Sequence, residues 1–77
     1  MTLTQLYRLY LCDGNTFEVV EPWGLPAHRS LLGQFERAED SGMLKAYEKD
    51  GSMLCIPKRN ILYIRAAAIE NTRRNAI

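Results

Sequence analysis

Histidine, cysteine and tryptophan are scarce in this chain: one, two and one among 77 residues. The first two scarcities each remove a class of function. Cys12 and Cys55 stand 43 positions apart, with no Cys-x-x-Cys spacing, and His28 has no second histidine to join it. A zinc ribbon, a zinc finger and a His-Glu-x-x-His metalloprotease are therefore excluded, and no metal or other cofactor is expected. There is no Gly-x-Ser-x-Gly elbow and no phosphate-binding loop. His28 has no evident orienting partner, which a general base needs. Neither cysteine has an evident activator, so no catalytic residue is nominated and no enzyme is expected.

Long apolar runs are also missing. Nothing approaches the roughly 20 residues that span a bilayer as a helix. Met1-Thr2-Leu3-Thr4-Gln5 lacks the basic segment and continuous apolar core of a secretory leader. Two unpaired thiols fit a reducing cytoplasm, which is the expected location, with a Cys12–Cys55 disulfide as the alternative.

What is present fits one small domain: 47% apolar and 25% charged residues. A core this size gives modest stability, and assembly with other subunits is a natural supplement. The net charge of +1 hides an asymmetry. Residues 1–56 hold five basic and eight acidic side chains; residues 57–77 hold five basic and one acidic. Arg65, Arg73 and Arg74 belong to the basic end, which suits either solubility or an anionic partner. The expected division is a domain over 1–65 and a helical or frayed basic tail over 66–77.

One phrase occurs twice. Leu11-Cys12-Asp13-Gly14-Asn15-Thr16-Phe17-Glu18-Val19 is echoed by Glu48-Lys49-Asp50-Gly51-Ser52-Met53-Leu54-Cys55-Ile56. Asp-Gly between alternating apolar residues signals a hairpin. The register follows from the flanks, because a one-residue slip turns every side chain to the opposite face. A three-residue loop Cys12-Asp13-Gly14 sets Leu9 against Phe17, Arg8 against Glu18 and Tyr7 against Val19. A two-residue loop would set Leu9 against Glu18. In the second copy, a Lys49-Asp50-Gly51 loop sets Ala46 against Leu54 and Leu44 against Ile56.

Between the hairpins, Leu31, Leu32, Phe35 and Ala38 recur at helical spacing. Pro26 suits a first helical position and Gly42 a left-handed stop. After Pro57, Ile61–Ile64 reads as a short fifth strand or the start of a C-terminal helix. The expected fold is α+β: two antiparallel β-hairpins flanking one α-helix (ββαββ), in one sheet or a partly closed small barrel. The ending Ile56-Pro57-Lys58-Arg59-Asn60-Ile61-Leu62-Tyr63-Ile64 resembles those of Sm-like and SH3-like domains. That resemblance covers under half the chain, implies a binding module, and does not account for the helix.

Arg8 and Tyr10 precede the first loop, and Lys45 and Tyr47 the second, all on the outer sheet face. Aromatic rings beside cations can hold single-stranded nucleic acid. Tyr10, Tyr47, Met53 and Cys55 are equally rather apolar for a solvated face, which points to a protein interface. Trp23, between Pro22 and Pro26, either closes the core or anchors a partner. The first strand, Leu3–Leu11, is the expected edge for pairing between subunits. The favoured reading is a small non-catalytic binding protein, homo-oligomeric and meeting a further protein or small ligand. An accessory role in a phage or mobile element fits its size. The alternatives are a nucleic-acid-binding module and an oligomer holding a small ligand at a subunit junction. No membrane partner is expected.

Overall fold

Both hairpins form in the register that side-chain chemistry favours. The computed structural model describes residues 3–71. Strand β1 (Leu3–Leu11) pairs antiparallel with β2 (Thr16–Pro22), placing Tyr7 opposite Val19, Arg8 opposite Glu18 and Leu9 opposite Phe17. Strand β3 (Met43–Tyr47) pairs with β4 (Met53–Pro57), placing Leu44 opposite Ile56 and Ala46 opposite Leu54. Both loops are built alike. Gly14 N–H donates to the Leu11 carbonyl at 3.0 Å, and Gly51 N–H to the Glu48 carbonyl at 2.9 Å. Asp13 Oδ1 accepts from Asn15 N–H at 2.9 Å, and Asp50 Oδ1 from Ser52 N–H at 2.8 Å. Gly14 and Gly51 take φ of 95° and 93°, where a side chain would be strained.

The helix α1 (Leu31–Arg37) is shorter than its apolar pattern suggests. Pro26 opens a turn, accepting from Arg29 N–H at 2.8 Å, rather than starting the helix. Ser30 is the cap: its Oγ accepts from Gly33 N–H at 3.0 Å. The helix stops at Ala38 in extended backbone, and Gly42 takes no part in ending it through a left-handed turn. Gly33 is required by crowding. A Cβ there would sit 1.6 Å from the Ala27 carbonyl oxygen in the loop that precedes the helix.

A short 3₁₀ turn (Lys58–Asn60) leads into the last strand, β5 (Ile61–Asn71). Here two expectations are corrected. Residues 66–71 continue the strand instead of forming a helix or frayed tail. β1 would otherwise have an unpaired flank, and backbone pairing along it outweighs the helical preference of Ala66-Ala67-Ala68. Consequently β1 is not an edge. The sheet order is β4-β3-β2-β1-β5, all antiparallel, which buries β1 between two neighbours and leaves β4 and β5 outermost. Among the described residues the sheet is not closed, which agrees with a ββαββ layout or a partly closed small barrel.

One core results. Tyr7, Leu9, Val19, Leu44, Ala46, Ile56 and Ile61 of the inner sheet face meet Leu31 of α1, with Phe35 and Ala38 half-buried beside them. Leu32, which shares the apolar spacing, is exposed. No helix among the described residues is long and apolar enough to cross a membrane.

Candidate binding surface

Alternation along the strands sends Arg8 and Tyr10 outward, away from the core. β5 completes their surroundings, because it sets Tyr63 opposite Tyr10 and Arg65 opposite Arg8. The two tyrosine rings stack, with centroids 4.3 Å apart and planes 20° apart. The Arg65 guanidinium lies 5.9 Å from the Tyr10 ring centroid. Arg8 is engaged elsewhere: its guanidinium donates to Glu18 Oε2 at 2.7 Å. That hydrogen bond holds the Glu18 carboxyl below the usual carboxylate range. Arg65 has no carboxylate at ion-pair distance among the described residues. Two arginines thus face each other across strands, one neutralised and one not.

Tyr63 was not singled out from the sequence. Its only signal was position: a fifth strand beside β1 places some residue opposite Tyr10. Of the residues that were singled out, Arg8, Tyr10, Arg65, Lys45, Tyr47 and Met53 share the outer face. They do not form one platform. β2 and β3 pair only at Val20–Tyr47, and the Lys45 N–H turns instead to Gln34 Oε1 of α1 at 3.3 Å. Arg8, Tyr10, Tyr63 and Arg65 therefore form one cluster, with Lys45, Tyr47, Met53 and Cys55 on the other side of β2. Trp23 belongs to neither. It is 53% exposed, so it does not seal the core, and its backbone N–H donates to the Leu3 carbonyl at 2.9 Å. Arg73 and Arg74 lie outside the described residues.

The parting of β2 and β3 leaves a mostly apolar cavity of about 210 Å³, lined in part by Tyr7, Val19, Leu25, Leu31 and Tyr47. Glu21 borders it with both oxygens occupied. Oε2 accepts from the Tyr7 hydroxyl at 2.8 Å and Oε1 from Leu31 N–H at 2.9 Å. Burial, then the Glu21 hydrogen bond, pushes the Tyr7 hydroxyl far above its ordinary range. Glu21 therefore ties β1, β2 and α1 together. Among the described residues no group of three or more His, Cys, Asp and Glu is placed to hold a metal ion. His28 is exposed and its carbonyl accepts from Arg37. Cys12 and Cys55 are both exposed free thiols.

The two outer strands differ as edges. In β4, the closing hydrogen bond from Glu48 N–H to the Ser52 carbonyl makes Ala46–Leu54 and Leu44–Ile56 the bonded pairs. Met53, Cys55 and Pro57 then present their backbone outward, and Pro57 has no N–H to give. β5 is 11 residues long and contains no proline. Leu62 and Ile69 on it are 62% and 50% exposed. No family model matches this chain, and no curated protein or solved structure matches it.

Proposed function

We propose that this chain is a non-catalytic interaction protein that assembles with copies of itself through the edge of its sheet. The observation that carries this reading is β5, the long outermost strand with exposed Leu62 and Ile69. An uncovered edge offers unpaired N–H and C=O groups to another strand, and proteins that remain monomeric protect such edges with proline, lysine or brevity. β4 has brevity and Pro57; β5 has neither, and only its bulges and the charges of Arg65 and Glu70 modulate its edge. The exposed side chains Tyr47, Met43 and Met53 add apolar area that a further protein partner can cover. A reducing, cytoplasmic setting suits the two exposed thiols.

A second reading rests on the Tyr10–Tyr63 stack with Arg65 beside it, which suits a base stacked on Tyr63 and a phosphate held by Arg65. It ranks lower because Arg8 is neutralised by Glu18 and because each tyrosine already covers one ring face of the other.

Light scattering on the purified chain at low and high salt, with its 260/280 absorbance ratio, separates the two. A nucleic-acid-free multimer of constant mass at both salts supports self-assembly. A monomer that carries nucleic acid and sheds it at high salt overturns it in favour of the second reading.

A further inference from the structure

The edge strand carries its own partner's complement, and the feature that creates it is a bulge. β5 pairs Ala66 with Tyr7 and Ala68 with Leu6, so Ala67 is an extra residue relative to β1. Side chains alternate in a regular strand, and residues five apart would lie on opposite faces. The extra residue removes that difference. Arg65, opposite Arg8, and Glu70, opposite Thr4, both lie on the outer face. Ala66, opposite Tyr7, and Ile69, opposite Gln5, both lie on the inner face.

The backbone is arranged to match. Leu11 N–H donates to the Asn15 carbonyl, which fixes the odd-numbered residues of β1 as those bonded to β2. Tyr10, Arg8, Leu6 and Thr4 therefore bond to β5, through Tyr63, Arg65, Ala68 and Glu70. Ile64 and Ile69, between those positions, turn their backbone groups to the open side.

Resting on the self-assembly reading, we propose that two copies of this chain join β5 to β5 about a two-fold axis between Ala67 and Ala68, making one continuous ten-stranded sheet. This register places Arg65 of each copy opposite Glu70 of the other, twice over, and Ala66 opposite Ile69. Both pairings match face to face. Arg65, set opposite Arg8 in the register and without a carboxylate at ion-pair distance among its own chain's described residues, gains one from its partner. Glu70 meets Lys49 only loosely, at 3.7 Å, and both side chains remain open to solvent. A two-fold axis at Arg65 itself would instead oppose arginine to arginine, which like-charge repulsion disfavours. An asymmetric β4-to-β5 contact meets Pro57 and has only five residues of strand to use.

The test is a charge exchange on the intact chain, read by light scattering over a dilution series at low salt. The wild type is expected to be a dimer. Arg65→Glu alone and Glu70→Arg alone each set like charges across both pairs, and each is expected to weaken dimerisation about tenfold or more. The double variant Arg65→Glu/Glu70→Arg restores opposite charges and is expected to recover the wild-type dissociation constant to within about threefold. Circular dichroism of all four proteins checks that each is folded. Recovery in the double variant supports the β5–β5 register. A multimer indifferent to all three variants, or one larger than two subunits, overturns the register while leaving self-assembly standing. A wild type that is monomeric throughout overturns both, and one that loses bound nucleic acid on Arg65→Glu assigns the face to nucleic acid instead.

Discussion

The Tyr7 hydroxyl donates to Glu21 Oε2 at 2.8 Å while Glu21 Oε1 accepts from the first N–H of the helix, so one carboxylate joins two neighbouring strands to α1. Because Tyr7 is held neutral in the fold, its ionisation is linked to unfolding. The raised value means that this contribution to stability is fully present below the ordinary tyrosine value of 10.0 and declines as pH rises above it. Stability is therefore expected to fall on the alkaline side, with Tyr7 ionising only as the fold is lost. A spectrophotometric tyrosine titration beside circular dichroism checks this. In Tyr7→Phe the late ionising step should vanish, at a loss of about 1–2 kcal/mol near neutral pH.

Removing the other partner should cost more. Glu21→Ala leaves both the Tyr7 hydroxyl and the Leu31 N–H without their acceptor, and a loss of about 2–4 kcal/mol is expected. Urea denaturation measures it. A loss no greater than that of Tyr7→Phe would mean that the Leu31 contact contributes nothing.

Gly33 offers a case where helix propensity and packing disagree in sign. Propensity alone expects alanine in a helix interior to gain about 1 kcal/mol over glycine. The Ala27 carbonyl oxygen, 1.6 Å from where that methyl must go, is backbone and cannot swing aside. Gly33→Ala is expected to destabilise the chain by about 2 kcal/mol or more. A midpoint in urea above that of the wild type would overturn the account.

The helix C-terminus depends on a residue from beyond β4. Lys58 Nζ donates to the Ala38 carbonyl at 2.6 Å and lies 5.0 Å from the Phe35 ring centroid. It satisfies a terminal carbonyl and places positive charge at the negative end of the helix dipole. Lys58→Met keeps the aliphatic stem and removes the charge, and a loss of about 1 kcal/mol is expected by thermal denaturation. Lys58→Arg should retain most of the stability.

The hairpins were legible because chemistry at several positions agreed. Leu9 against Phe17 and Arg8 against Glu18 demanded one loop length, where Asp-Gly by itself fits either two residues or three. β5 was only half legible. Ile61–Ile64 carries a strand-like apolar run, but Ala66-Ala67-Ala68 reads locally as helix, and only the vacant flank of β1 decides otherwise. That information lies some 60 positions away in the chain. The same cause moved the open edge from β1 to β5 and hid Tyr63 from the candidate surface, although Arg8, Tyr10 and Arg65 were already marked. Glu21 carries no local signal of its role, because its two partners, Tyr7 and Leu31, come from separate elements.

The central position of β1 has a consequence for synthesis. Within this sheet β1 is made first and is paired on one flank almost at once by β2, yet its other flank must wait for β5, the last of the sheet's strands to be made. Throughout that interval the nascent chain displays an unfilled slot along β1, open to any extended segment nearby. Neighbouring chains on one polysome carry the same vacancy and, soon after, the same β5 to fill it. The order of translation thus favours exchange of β5 between copies wherever chains are crowded, and slow elongation through residues 58–71 prolongs the exposure.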